Sequence, residues 1–241
     1  MKSSMGLHYH ALQQPSFWAG VKDCIPTLIG YIGIGIAAGV VGASSHLTVL
    51  EVALLSIFVY AGASQFIICA LIATGTPISA IILTTFIVNF RHLLLSMTVA
   101  PQFTRYSTLK NIGFGILLTD ETFGVASTKI AKKETLSDKW MNGLNVTAYA
   151  FWIVSCTLGA VFGKWMANPE HYGLDFALTA MFVALLVLQL QSYERPKLKL
   201  YLSLVLYVVI LMVILSTFMP SYIAILLSTI IVATIGVIQD K

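Results

Sequence analysis

The stretch Phe86-Ile87-Val88-Asn89-Phe90-Arg91-His92-Leu93 decides how the chain is read. It lies inside an apolar run that opens after Pro77 and is stopped by Pro101. The run is apolar enough to enter a bilayer, yet its middle carries an amide, a guanidinium and an imidazole. A guanidinium in hydrocarbon costs about 2.5–3.5 kcal/mol on insertion scales, and more on others. Arg91 therefore needs a partner, water or a task. On a helical wheel Thr85, Asn89, His92 and Ser96 share one stripe, and Arg91 lies on the neighbouring face with Thr84, Val88 and Leu95.

Composition sets the class. Of 241 residues, 58% are hydrophobic and only 10% are charged, against about 25% charged in a soluble domain. Mean hydropathy is +0.87, and the apolar residues fall in blocks. This predicts an all-α integral membrane protein, a polytopic bundle of seven or eight segments with some broken or re-entrant. Residues 1–23 read as a cytoplasmic lead-in without a cleavable signal, and the first span as an uncleaved one. Residues 24–238 read as a single membrane domain with a polar-motif half (24–128) and an apolar half (140–238). No basic-aromatic face suits nucleic acid. Cys24, Cys69 and Cys156 sit in or beside apolar runs and read as small buried hydrophobes. His8-x-His10 lacks the carboxylates or thiolates of a metal site. Nucleophile-elbow, zincin and Walker patterns are missing, so no enzyme, cofactor or ATP site is expected.

Along the chain, the first span (24–43) is dense in glycine, with Gly35-x-x-x-Gly39 suited to close helix approach. The second segment (50–74) holds Tyr60-Ala61-Gly62-Ala63-Ser64-Gln65-Phe66. It reads either as a tight crossing satisfied by one amide or as a helix break that offers backbone groups to a ligand. The third (78–100) carries the opening stretch. The short fourth (111–127) contains Leu117-Leu118-Thr119-Asp120-Glu121-Thr122-Phe123. A fifth (140–167) and three plain apolar spans (176–191, 200–219, 222–238) follow. If every segment crosses, the basic residues place both termini in the cytoplasm, with the loop holding Arg105 and Lys110 as the exception. Re-entrant hairpins between 50 and 127 would relieve it.

The strongly polar intramembrane groups are Gln65, Asn89, Arg91, His92, Asp120 and Glu121. All lie in the first half, and the second half shows none in mid-span. Electrostatics pairs Arg91 with Asp120 or Glu121. The other carboxylate is then desolvated and suited to taking up and releasing a proton, with His92 as a relay or a plain hydrogen-bonding residue. A buried pair that only fixes helix register, or carboxylates at the membrane surface, are the alternatives.

The motifs at 60–66, 89–101 and 117–123, in that order, resemble the AzlC family, the large subunit of bacterial branched-chain amino-acid exporters. The likeness covers residues 20–130 best. It implies an inner-membrane permease that exports branched-chain or other small apolar amino acids, and a small hydrophobic partner of the AzlD type. No residue role is carried over with it. With the residues read above, it gives a proton-driven secondary transporter. The substrate carboxylate is expected at Arg91 or at helix-end amides near Gly62, Ser64 and Gln65, with Asn89 and Phe90 beside them. The ammonium is expected at Asp120 or Glu121, and the side chain against Phe66, Phe86, Phe90 or Phe123. A passive channel and a non-transporting membrane scaffold are the other classes.

Overall fold

The computed structural model describes residues 15–165, 176, 183, 186, 187, 190 and 195–239. Among these residues the secondary structure is helical throughout: nine α-helices and one 3-10 turn. The chain divides into two compact units, one of Met1–Gly75 with Val88–Pro169, the other of Thr76–Ile87 with Glu170–Lys241. Helices Phe17–Ser44, Ile78–Phe103, Asp138–Gly163 and Leu198–Ser216 are long and apolar enough to cross a membrane.

In the first unit, α1 (Phe17–Ser44) and α7 (Asp138–Gly163) form the frame. A methyl on Gly39 would overlap the Cys156 carbonyl, and one on Gly159 would overlap the Ile36 carbonyl. The two backbones therefore meet without side chains between them, as small residues permit. Gly143 faces Phe17 at one end of the pair, and Gly163 faces Val40 and Ala43 at the other. Residue numbers rise together along this seam, so α1 and α7 run parallel. The partner glycines of the Gly35–Gly39 motif thus lie on α7.

The second predicted segment is two helices, α2 (Val49–Phe58) and α3 (Gly62–Ala73), and the fourth is also two, α5 (Thr108–Ile116) and α6 (Asp120–Ala131). Each pair folds back on itself. Gly42, near the end of α1, faces both Val52 at the start of α2 and Cys69 near the end of α3. Gln65 Nε2 donates to Ser56 Oγ at 2.9 Å across the same pair. One continuous helix would hold Val52 and Cys69 about 25 Å apart at 1.5 Å per residue. α2 and α3 are therefore the two limbs of a hairpin with its tip at Val59–Ala61. In the second hairpin, Lys110 on α5 pairs with Asp138 at 2.6 Å. Lys129, near the end of α6, reaches Asp23 at 3.4 Å and lies over the Trp140 ring. Both limbs thus end beside the start of α7, and the tip is Leu117–Thr119.

The loop with Arg105 and Lys110 shares that end. Arg105 donates to the Leu136 carbonyl at 2.6 Å, and Tyr106 accepts from the Asp138 amide at 3.1 Å. α4 (Ile78–Val99) passes from the second unit into the first. Its end turns through Ala100–Phe103, and Phe103 packs on Phe114 of α5 with ring centroids 4.9 Å apart. In the second unit, α8 (Arg195–Ser216) and α9 (Ser221–Gln239) pair antiparallel across a turn at Pro220, with Gly236 against Leu204. The predicted sixth segment lies outside the described residues, single positions apart. One expectation is corrected: the apolar half does bury a polar group. Asn145 of α7 is 1% exposed and donates to the Phe114 carbonyl at 3.2 Å.

Candidate functional site

The polar groups of the first unit gather at the two hairpin tips. At the α6 tip the local sequence builds a closed cap. Thr119 Oγ1 accepts from the Thr122 amide, and Thr122 Oγ1 accepts from the Thr119 amide at 2.9 Å. Asp120 and Glu121 then occupy the first helical turn, where the helix dipole stabilises negative charge. Their side chains diverge. Asp120 turns to α4 and pairs with Arg91, Nη2 to Oδ2 2.9 Å. Glu121 turns to α1 and accepts a hydrogen bond from the Tyr31 hydroxyl at 3.1 Å. Tyr31 also bonds the Thr119 hydroxyl. Among the described residues Glu121 has no cationic partner, and the buried Nε of Arg91 has no acceptor.

The α3 tip is built differently. Tyr60 sits at φ +36, and Ala61, which precedes the helix, has no side chain able to cap it. The first amides of α3, beginning at Gly62, are free of intrahelical partners, as at any helix start. Among the described residues the buried Tyr60 hydroxyl has no hydrogen-bond partner, and its ring is edge-on to Tyr149 with centroids 4.7 Å apart. Ser64 donates to Asn89 Oδ1 of α4 at 2.6 Å. Gln65, only 2% exposed, spends its whole amide on protein. Its nitrogen holds Ser56, and its oxygen accepts from Trp152 Nε1 of α7 at 2.8 Å. The segment therefore combines both readings of its sequence: the helix breaks, and one amide braces the crossing.

The sequence-predicted residues fall into two linked groups. Gly62, Ser64, Gln65 and Asn89 belong to the α3 tip; Arg91, Asp120 and Glu121 belong to the α6 tip. His92 is half-buried on the Asn89 stripe and makes no hydrogen bond or ion pair among the described residues. Phe66 is buried, Phe123 is half-buried, and Phe90 is 49% exposed. Phe86 lies on the part of α4 that belongs to the second unit. Tyr31 and Trp152 are site residues that the sequence reading missed. They touch each other edge-on with centroids 5.5 Å apart. Their signal was a hydrogen-bonding aromatic inside an otherwise apolar span, which needs a partner when buried.

Comparison with known proteins concerns the chain as a whole. Residues 26–166 match the family model described as AzlC protein. Inner membrane protein YgaZ of Escherichia coli is 30% identical over 185 residues, covering 75% of this chain and 74% of that protein. The branched-chain amino acid transport protein AzlC of Bacillus subtilis is 25% identical over 193 residues, covering 78% and 74%. An uncharacterized membrane protein of Archaeoglobus fulgidus is 28% identical over 187 residues, covering 76% and 80%. No solved structure matches the chain.

Proposed function

The chain belongs to the AzlC family, and on that footing we propose that it is a multi-pass inner-membrane transporter that exports branched-chain or other small apolar amino acids, driven by protons. Helices α1, α4 and α7 cross the bilayer, and the two hairpins enter it from opposite faces. Arg105, Lys110, Lys129, Lys132 and Lys133 then share one face, the cytoplasmic one by the positive-inside rule. The Arg105–Lys110 loop ceases to be an exception. Irregular backbone at both tips is tolerated at membrane depth because α1 and α7 cover it.

The observation that carries the transport reading is the split of the two carboxylates. Asp120 neutralises Arg91, whereas among the described residues Glu121 is held only by a hydroxyl. A carboxylate without a fixed cation is open to another positive charge, and an amino acid brings one as its ammonium. The spare Nε of Arg91 and the uncapped start of α3 offer donors for the substrate carboxylate. Proton and substrate ammonium then compete for Glu121, which couples their movements in opposite directions. The partner subunit of the AzlD type rests on the family resemblance.

Counterflow in proteoliposomes tests this, with labelled valine outside and leucine inside, with and without a co-reconstituted small subunit. Transient accumulation of label is expected. Flux that only follows the gradient indicates a pore and overturns the transporter reading. Arg91→Lys keeps the charge but loses the planar fork, so near wild-type exchange in that variant removes Arg91 from carboxylate recognition. A Glu121→Gln variant with unchanged pH dependence removes Glu121 from the proton path.

A further inference from the structure

We infer that the cavity between the α6 tip and the basic end of the first unit is the side-chain pocket of the transport site, and that it takes a branched aliphatic group. This rests on the transporter reading above and deepens it. The cavity has a volume of about 190 Å³ and lies among α4, α5 and α7. Val99, Phe103, Phe114, Leu118 and Met141 supply its apolar wall, and among the described residues no charged side chain lines it. On the same measure an apolar cavity of about 150 Å³ takes up benzene. The four carbons of a leucine side chain fit within that space.

Its position joins it to the ion pair. Leu118, on the wall, precedes Asp120 by two residues, which sets the cavity beside the α6 tip that carries the ion pair. A zwitterion held at Arg91 and the α6 tip therefore lays its side chain toward the cavity. Two polar groups mark the wall. Asn111 Oδ1 is buried without a hydrogen-bond partner among the described residues, and Gly115 stands against Ser96, where an added Cβ would come within 3.3 Å of its hydroxyl. Gly115 thus lets α5 lie close to α4 at the cavity wall. The cavity lies on the Arg105–Lys110 side of the tip, the side from which an exporter loads.

The test compares exchange of leucine, valine and alanine by the full-length protein. One methylene in a hydrophobic pocket discriminates about 10- to 200-fold. Gly115→Val should therefore lower leucine exchange at least about tenfold relative to alanine. Met141→Ala should widen the space and raise phenylalanine exchange relative to valine. A second approach uses Ser96→Cys, since the native Cys24, Cys69 and Cys156 are all buried. Leucine should protect that thiol from a maleimide, and glycine should not. If wild type exchanges leucine but the ratios stay within twofold and leucine gives no protection, the pocket assignment falls while the transporter reading stands. If wild type exchanges no amino acid, both fall. Should either pocket variant fail to fold, thiol protection alone decides.

Discussion

Gln65→Leu is the sharpest probe of how the α2–α3 hairpin is held. The substitution keeps side-chain size and removes the amide that bridges Ser56 and Trp152. Ser56 keeps its own bond to the Val52 carbonyl at 2.9 Å, so it loses one donor and is not orphaned. Among the described residues Trp152 Nε1 has no second acceptor, and Trp152 is only 4% exposed. Each lost neutral bond is worth about 1 kcal/mol net, and an orphaned buried N–H costs about 1–3 kcal/mol. These overlap, so a total of about 2–4 kcal/mol is expected. Trp152→Phe with Gln65→Leu removes both partners together. That double variant should recover about 1–2 kcal/mol relative to the sum of the singles, because no donor is left unpaired. Thermal unfolding of purified protein in detergent, run as a double-mutant cycle, measures the coupling. Additive singles, or a Gln65→Leu variant within about 0.5 kcal/mol of wild type, would refute the brace.

Three further outcomes follow from the geometry. Cysteines placed at Lys110 and Lys132 in a background lacking native cysteines should label from the same side of the membrane; labelling from opposite sides would mean that α5 and α6 do not form a hairpin. Gly159→Leu should prevent recovery of folded protein, because its side chain would occupy the space of the Ile36 backbone, whereas Gly30→Leu meets nothing within 4 Å and should purify normally; equal yields would disprove the seam. Thr48→Ala removes the hydroxyl that caps α2 at the Glu51 amide and should cost about 1 kcal/mol in detergent melts, with no change in leucine-to-alanine preference.

The sequence made the membrane class legible because apolar blocks report it directly, and Arg91 because a buried cation demands an anion. It did not reveal which carboxylate answers. Asp120 and Glu121 are adjacent on one helical turn, so their side chains point about 100° apart, and only the position of α4 and α1 around α6 decides between them. The helix breaks were announced by small residues and a short segment, but a break does not show whether the chain continues or returns. That is settled by distant pairs such as Gly42 with Cys69 and Lys110 with Asp138. Asn145 escaped notice because it stands two turns into its helix, near enough to the polar start to read as surface.

Tyr31 alters the weight given to Arg91 as the organising residue. Arg91 binds one tip alone. Tyr31 bonds Thr119 and Glu121 at the α6 tip and packs on Trp152, which in turn holds Gln65 of α3. One contiguous set of contacts therefore joins two hairpins that arrive from opposite ends of the unit, and it crosses the frame where α1 meets α7. The frame itself cannot slide without driving Gly39 and Gly159 into the facing carbonyls. The tips have more freedom, since each is fixed by a few side-chain bonds to that frame. In the proposed cycle, loading Glu121 with a proton or an ammonium would change what Tyr31 donates to, and with it a contact that Trp152 shares. Contiguity alone does not establish coupling. The energy shared between Gln65 and Trp152 measures the α3 end of this path, and the pH dependence of a Glu121→Gln protein measures its α6 end.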